Sequence, residues 1–235
     1  MINDDQPTEW ASRAIDVQNE KRWTRPESVY LGLGSNLGDR EANLSEARER
    51  IKKLGLEITN ASSIYETEPV GYVEQGWFLN QVIEVAVNPR ITFGDDEMAA
   101  IVQVASEYEL DRISQFWIYE LFLALQMIER EMGRVREIPN GPRTIDIDVL
   151  LYGDMEGFFI ETRDSKDISN VRRGELPDLI LPHPRMHLRR FVLEPLCEIA
   201  PELEHPVLKK TCREMLAALD DRSTVRLYRT CEQRH

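Results

Sequence analysis

The stretch "GPRTIDIDVLLYGD", residues 141–154, places two carboxylates one residue apart within a run of aliphatic side chains. Successive side chains of a β-strand point to opposite faces, so Ile147 and its apolar neighbours can line a core while Asp146 and Asp148 share the other face. At about 3.3 Å of rise per residue, the two aspartate Cα atoms would lie roughly 6.5 to 7 Å apart and repel each other unless a cation lies between them. The pattern indicates either a divalent-cation site or an ordinary strand with a solvated polar face.

The residues before this strand favour the cation site. Arg134, Arg136 and Arg143 all lie within a dozen residues of the aspartates. Magnesium typically takes one or two carboxylates together with oxygens of a bound polyphosphate, and arginine binds phosphate oxygens in a bidentate manner. The segment therefore predicts a phosphoryl-transfer site.

Composition limits the class of protein. The chain has 235 residues, 42% of them hydrophobic, with a formal net charge of -13 and a pI near 4.9. This length predicts one domain, 28–235, preceded by a loosely ordered extension, 1–27. The charge argues against a general nucleic-acid surface, although a local basic patch remains compatible with it.

The chain also carries signals about its environment. Its three cysteines include no C-x-x-C pair, which favours neither a disulfide framework nor a zinc cluster. The acidic N-terminus lacks the apolar core of a signal peptide, and no run approaches the ~18 apolar residues of a membrane span. We expect a protein of the reducing cytoplasm that binds neither nucleic acid nor membrane.

Hydrophobic periodicity predicts the order of the elements. Strands are indicated near 28–36, 57–65, 78–87 and 145–151, and helices near 39–54 and 118–132. The resulting β-α-β-β-α-β order is typical of the ferredoxin-like (split βαβ) fold, an α+β architecture with two helices on one face of an antiparallel sheet. The other face should stay open for a ligand. A short strand and a short helix should follow in 179–206, and a last helix near 208–219.

Gly32, Gly34 and Gly38 lie between a strand and a helix. Their G-x-G-x-x-x-G spacing is one residue longer than the dinucleotide fingerprint, and no phosphate-binding P-loop motif occurs. A direct phosphate role and a close turn that passes near a ligand are equally compatible with these glycines.

Five blocks of sequence together resemble one family. The chain contains, in order, "YLGLGSNLGDR", "SSIYETEPVGYVEQGWFLN", "EREMGRVR", "GPRTIDIDVLLYG" and "LPHPRMHLRRFVLEPLCEIAPEL". Over about 29–227 the chain resembles 6-hydroxymethyl-7,8-dihydropterin pyrophosphokinase, in which ATP donates its β,γ-pyrophosphate to the pterin hydroxymethyl oxygen and leaves AMP. The resemblance implies a role in folate biosynthesis, with ATP as co-substrate.

The resemblance also implies roles for individual residues. Two Mg²⁺ ions would be held by Asp146 and Asp148. Phosphate contacts are implied for Arg134, Arg136 and Arg143. Lining of the ATP pocket is implied for Gln126, Glu129, His183 and Arg189. The flat pterin needs stacking partners and in-plane hydrogen bonds, and the resemblance implies that Phe78, Asn80 and Phe191 supply them. Thr67 and Val70 match residues of the pterin-side loop.

Two inserts depart from the compact family pattern, near 94–117 and 155–175. The first has an acidic start, and Met98, Ile101, Val102 and Ala105 follow at helical spacing, so we predict an added helix that packs away from the catalytic face. Its apolar stripe could support self-association.

Two other hypotheses compete with this one. A nucleotide-sugar glycosyltransferase also uses a D-x-D pair, although the sequence lacks a doubly wound pattern. A catalytically silent ferredoxin-like module is the alternative of another class.

Overall fold

The computed structural model describes residues 27–87, 107–135, 140–154, 157–159 and 179–231. The strands are β1 (Glu27–Ser35), β2 (Glu57–Ala61), β3 (Ile64–Thr67), β4 (Phe78–Val87), β5 (Asp146–Tyr152), β6 (Gly157–Phe159), β7 (Leu179–Leu181) and β8 (Val225–Arg229). The helices are α1 (Arg40–Lys53), α2 (Glu107–Glu131), α3 (Arg190–Ile199) and α4 (Cys212–Ala217), with a 3₁₀ turn at Met186–Leu188. Among these helices, none combines the length and the apolar character that a bilayer span needs.

The main sheet has the order β5-β1-β4-β3-β8, and β2 also pairs with β4. All pairings of β1, β3, β4 and β5 with one another are antiparallel. The predicted α+β, ferredoxin-like class is therefore confirmed. An antiparallel sheet also counts against the glycosyltransferase alternative, which requires a doubly wound parallel sheet.

Helices α1 and α2 cover one face of this sheet. Asp39 caps α1 by accepting the Ala42 N–H at 3.0 Å, and Leu44, Ala47 and Ile51 are buried from its inner side. The stripe predicted for α2 is buried at Ile118, Leu121, Leu125 and Ile128. Gly133 follows α2 at φ +81°, a left-handed conformation that glycine adopts without steric cost.

The apolar side chains of β5 complete this core. Ile145, Ile147 and Val149 are at most 4% exposed, and they pack with the buried residues of α1 and α2. Burying each such side chain contributes about 1.5 to 3 kcal/mol. The predicted inward face of this strand is confirmed.

The opposite face is only partly open. Tyr30, Val82 and Leu150 form a second apolar cluster with side chains of α3 and α4, among them Leu193 and Met215. The prediction of a free second face is therefore wrong at this end of the sheet. The C-terminal segment supplies a cover because these three strand residues are apolar and must be buried.

Three secondary-structure elements differ from the sequence predictions. The strand predicted at 57–65 is divided into β2 and β3, because Ser62 turns its hydroxyl to accept the Val82 N–H at 3.0 Å and Ser63 turns to Glu198. The last helix is shorter than predicted and begins after Thr211, whose side chain forms a capping box with Glu214. Strand β8 was not predicted.

The extension and the inserts fall largely outside the described residues. Of 1–27 only Glu27 is described, and it begins β1. Residues 107–117, predicted as part of an added helix, form the first turns of α2, whereas 94–106 lie outside the described part. Of the second insert only β6 is described, and it pairs with β7.

Candidate active site

A cavity of about 800 Å³ opens on the second face of the sheet. Thirteen of the fourteen predicted site residues line it, and Arg136 lies outside the described residues. The thirteen are Thr67, Val70, Phe78, Asn80, Gln126, Glu129, Arg134, Arg143, Asp146, Asp148, His183, Arg189 and Phe191. The structure thus brings together residues that are up to 124 positions apart (191 minus 67).

Strand register places the carboxylates beside glycines. Asp146 is opposite Gly34 and Asp148 is opposite Gly32 across the β1–β5 pair, while Asn80 of β4 is opposite Gly34 on the other side. A Cβ atom added to Gly34 would lie 2.8 Å from Asn80 Oδ1 and 3.9 Å from Asp146 Cβ. A larger residue at 34 would therefore collide with the Asn80 amide, a packing reason for glycine that leaves both interpretations of the three glycines as predictions.

Two arginines converge on Asp146. Arg134 Nη1 lies 2.5 Å from Oδ1, and Arg143 Nη1 lies 3.1 Å from Oδ2. Arg134 also pairs with Glu129, which is 4% exposed and accepts the Ile147 N–H at 2.7 Å. Burial raises the pKa of Glu129, and Arg134 opposes that shift. Glu129 therefore joins α2, β5 and Arg134.

Asp148 has a different environment. The His183 ring lies beside it, with Nε2 4.0 Å from Oδ2, and no arginine among the described residues comes within salt-bridge distance. Burial and the charge of Asp146 both raise the pKa of Asp148. Burial and then the Arg189 and Arg185 guanidinium groups lower the pKa of His183 to about 4. The imidazole is thus neutral at pH 7, and because its Nδ1 accepts the Arg185 N–H at 3.2 Å, Nε2 carries the hydrogen.

Of the predicted pterin residues, Thr67, Phe78 and Asn80 lie on the neighbouring strands β3 and β4, whereas Phe191 lies on α3 and Val70 follows β3. Asn80 Nδ2 donates to Thr67 Oγ1 at 2.7 Å, which fixes the orientation of the amide. The Arg143 guanidinium lies 5.1 Å from the centroid of the Phe78 ring, and that of Arg189 lies 5.4 Å from the Phe191 ring. Aromatic faces, an oriented amide and cations therefore share one cavity.

Several polar residues that line the cavity or hold its lining segments were not among the predicted site residues. Asn36 accepts the Arg143 N–H at 2.8 Å and donates to Gln75 Oε1 at 2.8 Å. Gln75 in turn donates to the Asn140 carbonyl at 2.9 Å, so the segments on both sides of the cavity are joined. Arg185 also lines the cavity. Asn36 and Arg185 belong to quoted blocks, and a polar residue directly after a glycine-rich strand was the available signal for Asn36.

The donor set suits a hard divalent cation that a polyphosphate helps to bind. No group of three His, Cys, Asp or Glu side chains converges as a metal site within the described part of the chain. Two neighbouring carboxylates are, however, what magnesium uses when phosphate oxygens and water complete its shell. Asp146 and Asp148 fit that requirement, because they share one face of β5 and line the cavity.

Comparisons with known proteins agree on one family. The family model for 7,8-dihydro-6-hydroxymethylpterin-pyrophosphokinase matches residues 30–113 and 111–201. The chain is 34% identical over 204 residues to 2-amino-4-hydroxy-6-hydroxymethyldihydropteridine pyrophosphokinase of Bacillus subtilis, covering 86% of this chain and 90% of that protein. It is 36% identical over 193 residues to the protein of the same name from Methylorubrum extorquens, covering 82% and 93%.

A solved structure shares the fold. The Plasmodium falciparum HPPK-DHPS protein superposes with a TM-score of 0.54 at 16% identity, covering 83% of this chain and 45% of that one. This likeness concerns the fold, and this chain spans less than half of that longer protein. The matched family model and the bacterial relatives show that the chain belongs to the 7,8-dihydro-6-hydroxymethylpterin-pyrophosphokinase family.

Proposed function

We propose that this chain transfers the β,γ-pyrophosphate of ATP to the hydroxymethyl oxygen of 6-hydroxymethyl-7,8-dihydropterin, producing AMP and the pterin diphosphate for folate biosynthesis. The observation that carries the proposal is the approach of Asn80 and Asp146 to the same glycine. A Cβ atom on Gly34 would lie 2.8 Å from Asn80 Oδ1 and 3.9 Å from Asp146 Cβ. An amide suited to a pterin and a carboxylate suited to a metal–phosphate group are therefore neighbours.

The reaction forms a bond between the hydroxymethyl oxygen and the β-phosphorus and breaks the bond between that phosphorus and the α–β bridging oxygen, which leaves with AMP. The hydroxyl proton is lost to solvent or to a nearby base. Such transfers depend mainly on positioning the reactants in line and on neutralising charge. The residues of the cavity need only supply these two effects.

Several side chains suit the positioning task. The Thr67 hydroxyl accepts one Asn80 amide hydrogen, which leaves the other amide hydrogen and Oδ1 for in-plane bonds to a pterin. Phe78 and Phe191 offer aromatic surface in the same cavity. Bound in this way, the pterin would have its hydroxymethyl group held near the carboxylate pair.

Other side chains suit the charge of the triphosphate. Arg134, Arg143 and Arg189 present guanidinium groups to the cavity, and such groups bind phosphate oxygens through pairs of hydrogen bonds. The neutral His183 can donate from Nε2. When two Mg²⁺ ions are bound, Asp146 and Asp148 would hold them, and the ions would supply Lewis-acid stabilisation of phosphate charge.

The proposal is tested by following AMP formation. ATP and Mg²⁺ are incubated with the protein in the presence and in the absence of 6-hydroxymethyl-7,8-dihydropterin, and the nucleotides are separated by chromatography. We expect AMP and pterin diphosphate in equal amounts only when the pterin is present, and none from an Asp146→Asn/Asp148→Asn variant. A folded wild-type protein that forms no AMP would favour the silent-module hypothesis instead.

We also infer that the acidic insert at 94–117 mediates self-association rather than substrate binding. Its predicted stripe requires burial, and its acidic residues would oppose a nearby triphosphate. Sedimentation of a variant in which 94–106 is replaced by a short Gly/Ser loop tests this: we expect a lighter species with unchanged ATP affinity.

The proposed location is the cytoplasm. All three cysteines, Cys197, Cys212 and Cys231, are free thiols, as a reducing compartment permits. Cell fractionation with an antibody to the chain would test this proposal.

A further inference from the structure

The two aspartates of the β5 pair differ in their ionic partners. Each carboxylate oxygen of Asp146 faces an arginine, Arg134 at 2.5 Å and Arg143 at 3.1 Å, and the three side chains are between 10% and 21% exposed. Asp148 is 38% exposed, has no arginine within salt-bridge distance among the described residues, and lies 4.0 Å from the His183 ring, while Arg189 attracts it from farther away. A cation therefore has direct access to Asp148 but meets two guanidinium groups at Asp146.

A guanidinium group on a carboxylate oxygen takes up one of its lone pairs and repels a divalent ion that approaches the others. A guanidinium group and a divalent ion both approach a carboxylate at its lone pairs, so the ion pairs of Asp146 oppose metal binding there. The opposition is strongest where the pair is shielded from water, as it is for Arg134, whose side chain is 10% exposed. Metal binding at Asp146 is thus favoured when the arginines move away.

Both arginines have another partner besides Asp146. Arg134 keeps the Glu129 carboxylate when it leaves Asp146, because it already pairs with both. The Arg143 guanidinium lies 5.1 Å from the centroid of the Phe78 ring. Phe78 lines the same cavity, so this contact can hold Arg143 near a bound phosphate. A polyphosphate in this cavity offers each guanidinium a stronger, bidentate partner than one carboxylate oxygen.

We propose that Arg134 and Arg143 act as stand-in cations that occupy Asp146 in the nucleotide-free protein, and that nucleotide phosphates draw them away and thereby open Asp146 to the metal. Because the arginines repel the metal from Asp146, removing either of them should tighten metal binding in the absence of nucleotide. This inference rests on the proposed function for the identity of the anion, but its central claim concerns metal affinity alone.

The test measures Mn²⁺ binding to the nucleotide-free, full-length protein by electron paramagnetic resonance of the free ion. Arg143→Gln and Arg134→Gln should each bind Mn²⁺ about 5-fold or more tightly than wild type, the lower end of ordinary coupling between two sites. The Asp146→Asn/Asp148→Asn variant gives the background from the remaining acidic surface.

Arg185→Gln is the matched control. Arg185 lines the same cavity, and no carboxylate among the described residues pairs with it, so the variant loses the same charge without freeing Asp146. Equal shifts in Arg185→Gln and Arg143→Gln, or no shift in Arg143→Gln, would overturn the inference. If Arg134→Gln fails to fold, as judged by circular dichroism, Arg143→Gln decides alone.

The outcomes separate this inference from the proposed function. AMP formation by wild type together with unchanged Mn²⁺ affinity in Arg143→Gln would reject the stand-in role and leave the pyrophosphate transfer intact. Tighter Mn²⁺ binding in a protein that forms no AMP would reject the transfer and retain the competition at Asp146.

Discussion

The two faces of the main sheet are built from the same strands, but one face forms the core and the other contributes residues to the cavity. On one face, residues such as Leu31 and Val149 are fully or almost fully buried under α1 and α2. On the other, one end is covered by α3 and α4 over Leu150, and the rest holds Asn80, Asp146 and Asp148 in an open cavity. Because successive side chains of a strand point to opposite faces, core residues and cavity residues alternate along the same strand.

The uncovered part of this face is lined by charged side chains that pair with one another. Asp146 is bound by two arginines, and Glu129 is bound by Arg134 and a backbone N–H. Such groups cannot be covered by apolar helices without losing hydrogen bonds, which is costly. The apolar cover therefore ends where these pairs begin, and the following variants test this division.

The largest effect is expected from Asp148→Ala. Loss of a metal ligand should remove several kcal/mol of charge stabilisation, so turnover should fall by about 10³-fold or more. The free energy of unfolding should change little, because Asp148 has no arginine within salt-bridge distance among the described residues, and relief of its repulsion with Asp146 offsets the lost attraction of Arg189. AMP assays and urea denaturation measure the two quantities. Near-normal turnover in magnesium would show that the metal assignment is wrong.

Leu31→Ala should give the opposite result. Leu31 is 0% exposed on the helix-covered face, so its truncation should lower the free energy of unfolding by about 2 to 5 kcal/mol. Turnover per folded molecule should change far less than in Asp148→Ala.

The control for this variant is Leu227→Ala on β8, where the side chain is 56% exposed. It should change stability by about 0.5 kcal/mol or less. Equal losses in the two leucine variants would mean that the helix-covered face is not the main core.

Asn80→Ala should weaken pterin binding with little effect on ATP. Removing buried hydrogen bonds to the ring should cost about 1 to 3 kcal/mol, or roughly 5- to 150-fold in affinity. Isothermal calorimetry with each substrate measures this. Asn60→Ala, on β2 and outside the residues that line the cavity, serves as the control. Unchanged pterin affinity in Asn80→Ala would remove Asn80 from the binding site.

The smallest effect concerns His205, which is not among the residues that line the cavity. Burial, and then the nearby His187, lower the pKa of His205, and its Nδ1 accepts the N–H groups of Val207 and Leu208 at 3.3 and 3.2 Å. The unfolded chain therefore binds this proton more readily, and stability should fall as pH decreases below the unfolded value of about 6.5.

In His205→Gln this acid slope should become shallower, by at most about 1.4 kcal/mol per pH unit. Urea denaturation at several pH values from 5 to 7 measures the slope for the variant and for wild type. Identical slopes would show that His205 does not contribute to the acid sensitivity of the fold.

Much of the architecture follows from local patterns. The capped, amphipathic α1 and the stripe of α2 lie where periodicity placed them, because a helix buries every third or fourth residue whatever its partner. The break between β2 and β3 had no such signal, because it depends on how Ser62 bonds to Val82 and Ser63 to Glu198. Strand β8 was missed for a similar reason: it is short, exposed and joined to β3 through residues more than 150 positions earlier.

The sequence by itself determined that β5 has an apolar and an acidic face and, through its five blocks, to which family the chain belongs. The tertiary structure alone decided that Gly34 lies between Asn80 and Asp146, that both oxygens of Asp146 face arginines while Asp148 faces His183, and that α3 and α4 cover only one end of the polar face. Alternation and helical period are short-range properties, set by the backbone geometry of neighbouring residues. Register, ion pairing and coverage depend on which distant segments meet, and this is determined only when the whole chain has packed.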